Sequence, residues 1–269
     1  MRTTDRRIAL GLYRNGHARE LLESALEHGV TDLDTAFNYA QFASHRTLSN
    51  IAADLLPSFS ISTKVGYFPG GHDLAPGRLR AAVEQSAEEL GRTPDTVLLH
   101  NPETSVDGFS DSCAALNELR EAGLCGSWGI SSWDPRPLLE ADWDIPSPDV
   151  VMVRAGLIVS AAILNAIDEL VGRARNPELW GMAPFAGNAA APIWEAVDTS
   201  MFLVPGQGGS ALQTGIAAAF AIPVVSRLAV GTSSVDHLVE AVHGSRLEVN
   251  KETVAEYREL LNQRATVSP

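Results

Sequence analysis

Cysteine is nearly absent from this chain, with only Cys113 and Cys125 among 269 residues. They stand twelve apart in sequence with no His or further Cys at ligand spacing, which argues against a zinc site or a disulfide framework and leaves both as small core or surface residues. No metal is expected. Aromatic residues are few, at 6%. No run of 18 apolar residues occurs, so no transmembrane helix is expected, and Met1-Arg2-Thr3-Thr4-Asp5-Arg6-Arg7 lacks the apolar stretch of a secretory signal. The expected location is cytoplasmic. Positive charge is short as well: 20 Lys and Arg against 33 Asp and Glu give −13, with no basic cluster. That balance points away from nucleic acids and anionic membranes as partners. What is present is the 45% hydrophobic, 20% charged composition of an ordinary globular protein, at a length that fits one α/β barrel.

Short β-prone runs alternate with amphipathic segments from end to end. The pattern predicts strands at Ile8–Leu12, Thr31–Thr35, Ser60–Val65, Thr96–His100, Ser127–Ser131, Asp149–Val153, Leu179–Pro184 and Arg227–Gly231. Between them it predicts helices at Ala18–His28, His45–Leu55, Pro76–Leu90, Ser110–Ala122, Pro135–Ala141, Ala161–Ala174, Ser210–Phe220 and Val235–His243. Strands each followed by a helix imply parallel pairing through right-handed crossovers, and the closed solution is the (β/α)8 TIM barrel. One barrel domain over 1–269 is expected, with an additional helix at about 251–262 packed outside it. Pro184 to Ser210 is the longest irregular segment, of the kind that is functional or mobile. Within it Gly206-Gln207-Gly208-Gly209-Ser210 lacks the context of either glycine fingerprint and reads as a loop.

In such a barrel the chemistry sits at the C-terminal ends of the strands. Three consecutive strands end in ionisable groups: Thr31-Asp32-Leu33-Asp34-Thr35, Ser62-Thr63-Lys64-Val65 and Leu98-Leu99-His100-Asn101-Pro102. With strands about 4.8 Å apart, Asp34, Lys64 and His100 can converge, and Tyr39 can arch over them from its loop. Singly these residues could be a turn cap, a surface lysine and a core histidine; jointly that requires three coincidences at adjacent strand ends.

This set resembles the aldo-keto reductase family, whose tetrad of Asp in Asp-Thr-Ala, Tyr five positions later, Lys after Ser/Thr-Thr and His in Leu-Leu-His-x-Pro matches Asp34, Tyr39, Lys64 and His100. Further matches are Leu119-Arg120-Glu121-Ala122-Gly123 leading into Gly129-Ile130-Ser131-Ser132, Met182-Ala183-Pro184-Phe185-Ala186, and the turn that begins Gly231-Thr232-Ser233-Ser234. The resemblance implies hydride transfer from NADP(H), or alternatively NAD(H), to an aldehyde or ketone, with Tyr39 as general acid; little sequence for long substrate-gripping loops suggests an open pocket suited to a bulky or extended small-molecule substrate. A phenol of ordinary pKa near 10 donates poorly at neutral pH, and Lys64 is expected to supply the charge that stabilises its anion. Asp34 would hold Lys64 charged, and His100 would orient the carbonyl.

The family's amide-binding and ring-stacking positions here read Ser131, Ser132, Met152 and Met182. Met152 cannot replace an amide hydrogen bond, whereas Met182 can still pack on a ring. At the adenosine end Gly231, Thr232, Ser233, Ser234, His237 and Glu240 are the cofactor candidates, with no Lys or Arg for a 2′-phosphate. The expectation is a modest preference for NADPH over NADH. Tyr13, Phe68, Trp133 and Trp128 are candidate substrate walls. Two other readings use the same residues: a lyase, dehydratase or isomerase that moves protons without net redox, and a cofactor-sensing regulatory protein.

Overall fold

A closed barrel of eight parallel strands forms the centre of the computed structural model, which describes residues 6–189 and 191–267. Residues 1–5, part of the segment read above for a secretory signal, lie outside the described residues. The strands are β1 (Arg7–Gly11), β2 (Asp32–Asp34), β3 (Ser60–Val65), β4 (Thr96–His100), β5 (Ser127–Ser132), β6 (Val150–Arg154), β7 (Glu178–Met182) and β8 (Arg227–Gly231). Each pairs with its neighbour in sequence, and β8 closes on β1 with Leu10 opposite Val230. The expected (β/α)8 barrel is therefore the fold. The outer layer holds α1 (Arg19–Glu27), α2 (Ser44–Ala52), α3 (Pro76–Leu90), α4 (Phe109–Glu121), α5 (Ala161–Arg173), the short α6 (Ile193–Ala196), α7 (Ala211–Ala219), α8 (Val235–Ser245) and α9 (Lys251–Val267). No helix among the described residues is long and apolar enough to cross a membrane.

Strand side chains alternate between two cores. Ala9, Leu98, Val150, Met152, Trp180 and Ala229 pack together inside the barrel, whereas Leu10, Leu33, Ile61, Val97, Leu99, Val151 and Leu228 face the helices. The parity puts Asp32, Asp34, Ser62, Lys64, His100, Ser131 and Arg154 on the inward side. Trp128 has the outward parity and is fully buried under the helical layer, so it is not a substrate wall. Cys113 and Cys125 are buried and unpaired, with burial pushing both thiols up, Cys125 to about 11.

Several local expectations are corrected. Between β5 and β6 the expected helix is a 3-10 turn, Arg136–Glu140, because Pro135 and Pro137 bring no backbone N–H to build an α-helical turn. The irregular segment holds α6 and a 3-10 turn at Thr199–Phe202 before the Ser210 hydroxyl caps α7 by accepting from Gln213 N. Strand β7 stops at Met182, since Ala183 is left-handed. An unexpected hairpin, Tyr67–Phe68 against Gly71–His72, follows β3. Helix α9 is longer than its predicted core and lies on α5, where Arg258 pairs with Asp168 at 2.5 Å.

The N-terminal mouth of the barrel is closed by charge. Arg227 meets Asp32 at 3.0 Å, and Arg7 meets Asp32 at 3.4 Å and Glu178 at 3.7 Å. A cavity of about 1360 Å³ opens beside this cluster, and no member of the predicted tetrad lines it.

Candidate active site

At the opposite mouth the register brings Asp34 of β2 and Lys64 of β3 together. Lys64 Nζ donates to both Asp34 carboxylate oxygens at 2.6 Å and to Thr35 O at 3.0 Å, and the Tyr39 hydroxyl is close enough to act on the same ammonium. Ser62 Oγ adds a bond to Asp34 Oδ1 at 3.2 Å. Lys64 and Asp34 side chains are 2% and 7% exposed, so the pair is shielded from solvent. Burial works against the ammonium, but Asp34 and Tyr39 outweigh it and hold the Lys64 pKa above its ordinary value.

Tyr39 lies over this pair, with Lys64 Nζ 5.4 Å from its ring centroid. Its loop is sharply bent: Ala40, Gln41 and Phe42 are successive left-handed non-glycine residues, a strain that concentrates at functional sites. Below the loop His17 Nε2, Ser44 Oγ and Thr35 Oγ1 form a buried chain with 2.7 Å links that ties the β1 loop to α2 and the end of β2. Here one expectation is revised. Burial, only partly opposed by Lys64, pushes the Tyr39 phenol above its ordinary pKa rather than below it. The side chain therefore keeps its proton throughout neutral pH.

His100 stands edge-on to Tyr39 at 6.0 Å between centroids. Burial, the Lys64 charge and His72 depress its pKa well below 6.5, so the imidazole is neutral at pH 7. Its Nδ1 is buried without a hydrogen-bond partner among the described residues. The unexpected hairpin packs directly on this ring, with Tyr67 at 5.0 Å and 82°. His72 Nε2 donates to His100 O at 2.9 Å, and its Nδ1 meets Ser105 Oγ at 2.9 Å. Gly66, at φ +143°, makes the approach possible, because a Cβ there would lie 3.1 Å from His100 O. Sequence reasoning missed Tyr67 and His72; the signal available was an aromatic pair followed by Pro69-Gly70-Gly71.

The remaining candidates divide by strand. Tyr13, 53% exposed, packs on Tyr39 at 5.1 Å and so joins the tetrad. Phe68 touches Phe37 at 5.8 Å. Trp133, 41% exposed, rims the mouth beyond β5, where Glu103 Oε1 accepts from its backbone N–H at 2.6 Å. Ser131 points inward with its hydroxyl 4.0 Å from Met182 Sδ. Met152, next to Ser131 in register, is fully buried in the inner core, and Ser132 has the outward parity beside Glu103. Gly231 ends β8 opposite Gly11, and Ser233 is exposed beyond it. Ser234 caps α8 by accepting from His237 N, Thr232 Oγ1 accepts from Ser234 N at 3.0 Å, and Glu240 accepts from Ser210 Oγ at 3.2 Å. Three tetrad candidates thus end β2–β4 with Tyr39 in the loop after β2, and the cofactor candidates lie on β5–β8 and in the first turns of α8.

The chain was compared with known proteins. Solved structures with similar folds include an aldo-keto reductase of Bacillus halodurans, AKR11C1 in its holo form, at 18% identity, covering 95% of this chain and 91% of that one with a TM-score of 0.76. An aldo/keto reductase of Klebsiella pneumoniae, solved with NADP and acetate, matches at 18% identity over 94% and 90% with a TM-score of 0.70. One from Brucella melitensis matches at 16% identity over 94% of each chain with a TM-score of 0.71. At these identities the likeness establishes the fold alone. The model of the aldo/keto reductase family matches residues 7–161, which is more than half of the chain and contains Asp34, Tyr39, Lys64 and His100. With that match and the barrel, the chain belongs to the aldo/keto reductase family.

Proposed function

We propose that this chain is an NADPH-dependent carbonyl reductase that protonates its product through Tyr39. The observation that carries the reading is the buried Asp34–Lys64 pair beneath Tyr39, with neutral His100 beside the same ring. Three features fit the cofactor. Ser131 offers an inward hydroxyl, Met182 a partly exposed thioether next to it, and the start of α8 an anion-favouring helix end with Ser233 exposed. The Klebsiella relative solved with NADP supports the same choice. A bound nicotinamide supplies the hydride.

The chain's own residues then act on the oxygen. The neutral His100 ring can donate to and orient the carbonyl as its oxygen gathers charge. Tyr39 Oη passes its proton to that oxygen, whose alkoxide is far more basic than a phenolate. Lys64 stabilises the phenolate left behind, and Asp34 keeps Lys64 charged and fixed through the transfer. The same reading makes the chain one barrel domain braced by α9, acting in the cytoplasm on a small carbonyl compound.

Titration with NADPH and with NADH, followed by quenching of the five tryptophans, tests the cofactor half, and oxidation of NADPH with a panel of aldehydes and ketones tests the chemistry. Saturable quenching with turnover is expected. Turnover of a hydroxy acid or alcohol without any nucleotide requirement would instead favour the proton-moving lyase or isomerase reading, which the burial of Met152 at the amide-binding position supports.

A further inference from the structure

Three aromatic residues around the C-terminal mouth each carry a guanidinium on one face. Arg14 lies 4.7 Å from the Tyr13 centroid, Arg78 4.1 Å from Phe68 and Arg154 5.0 Å from Trp133. They differ in what neutralises them. Arg78 donates to Asp73 at 2.7 Å. Arg14 is exposed, with no ion pair among the described residues.

Arg154 is the unusual one. It is the last residue of β6, on the inward parity two residues beyond Met152 and opposite Met182 in register. Its Nε donates to Trp133 O at 2.8 Å, which together with the ring contact fixes the guanidinium plane. The nearby acids are engaged elsewhere. Asp134 is bridged by Arg136 through Nε at 2.9 Å and Nη2 at 2.6 Å, and one oxygen of Glu103 accepts the backbone N–H groups of Trp133 and Asp134. Among the described residues neither terminal nitrogen of Arg154 has a hydrogen bond or an ion pair, although the residue is half-buried. Asp134 and Glu103 act on the guanidinium only from a distance, without pairing to it, so its Nη edge keeps donors that a ligand's acceptors can take up. A protein of net charge −13 also repels anions at long range, so capture of one needs a local cation such as this.

The position suits a substrate. His100, Ser131 and Met152 are consecutive in register across β4, β5 and β6, so His100 and the strand bearing Arg154 are two spacings apart, about 10 Å at the backbone. Both residues have the inward parity at the same mouth of the barrel. The Nη edge of Arg154 has the fork geometry that binds a carboxylate or phosphate through two parallel bonds.

From this we infer that Arg154 recognises an anionic group on the carbonyl substrate, so that the enzyme favours acidic aldehydes or ketones over neutral ones; the substrate half of this inference rests on the reductase reading above. Steady-state kinetics with NADPH should compare 4-carboxybenzaldehyde with its methyl ester. The acid should be favoured in kcat/KM by about tenfold or more, expressed in KM, and Arg154→Gln should bring the ratio close to one. Arg154→Lys, which keeps the charge but not the fork, should retain part of the preference. No preference in the unsubstituted enzyme, or an equal loss on both substrates as expected of a cofactor contact, would overturn the assignment. A calorimetric titration with benzoate, phenyl phosphate and benzamide gives a second readout that needs no turnover. Arg154→Gln should weaken the anions about tenfold relative to benzamide, and the tighter of the two anions distinguishes carboxylate from phosphate. Unchanged anion affinity sinks the assignment whether or not any aldehyde is reduced, whereas absence of NADPH oxidation with every aldehyde sinks only the reductase reading.

Discussion

Asp32 and Asp34 lie on the same short strand, both turned into the barrel and both ion-paired, yet they serve opposite ends of the molecule. Asp32 meets two arginines at the N-terminal mouth, where Arg227 also stacks 3.8 Å over Trp180. Burial there pushes the Asp32 carboxyl up in spite of Arg227 and Arg7. Asp34 meets one lysine, whose field reaches a tyrosine and a histidine. The ion pair alone therefore does not mark a site. What sets the second pair apart is a buried phenol and a neutral imidazole held within range of it at the strand ends where the loops open.

The sharpest way to break this comparison is to remove the donor. Tyr39→Phe should lower kcat about a thousandfold while leaving nucleotide binding close to unchanged, measured by single-turnover NADPH oxidation and fluorescence titration. The raised Tyr39 pKa adds a sign: reduction needs the phenol and should stay flat through neutral pH and fall only in alkali, whereas alcohol oxidation needs the phenolate and should rise with pH. Retained activity in Tyr39→Phe would remove Tyr39 from the mechanism.

Next comes a matched pair of charge deletions. Lys64→Met leaves the Asp34 carboxylate buried without a cation and should cost about 3–5 kcal/mol in urea unfolding, together with most of the activity. Arg227→Met leaves Asp32 with Arg7 at 3.4 Å and should cost less, roughly 2–3 kcal/mol, with activity per folded molecule kept. Equal loss of activity in both would erase the distinction between the two mouths.

A buried histidine away from either ion pair gives a third measure. His45 bonds Thr63 Oγ1 at 2.8 Å, and burial lowers its pKa from 6.5 to about 4. The folded state therefore binds its proton later than the unfolded chain. Its contribution is complete above pH 6.5 and is lost as pH falls toward 4, a difference of about 3 kcal/mol. His45→Gln should flatten the fall in unfolding free energy across that window, and an unchanged slope would mean that other groups control it.

The smallest effect concerns cofactor choice. Ser233 is exposed at the start of α8, and Ser233→Arg would add the guanidinium missing from that turn. It should tighten NADPH by 1–2 kcal/mol, roughly tenfold, and leave NADH nearly unchanged in fluorescence titrations. Equal tightening of both would place the 2′-phosphate elsewhere.

Much of the molecule is local enough to read from sequence. The eight strands follow from apolar runs at regular intervals, and their boundaries fall within a residue or two of Arg7–Gly11, Ser60–Val65 and Thr96–His100. The turn at Arg136–Glu140 was misread because apolar spacing outweighed the two prolines, and the hairpin at Tyr67 was missed because its strands are only two residues long. Trp128 was misplaced for another reason: alternation gives two faces, but composition does not say which face is the mouth.

Sequence by itself therefore determined the order of strands and the four residues at the ends of β2, β3 and β4 with their loop, since each is a feature of a few consecutive residues. Tertiary structure decided the electrostatics. Whether Tyr39 is pushed up or down depends on how much solvent distant segments exclude as well as on Lys64, and here exclusion wins. Arg154 keeps its Nη edge unpaired because Arg136 and two backbone N–H groups hold the neighbouring acids away from it. Desolvation and competition for partners are sums over side chains far apart in the chain, so they come into being only when the barrel closes.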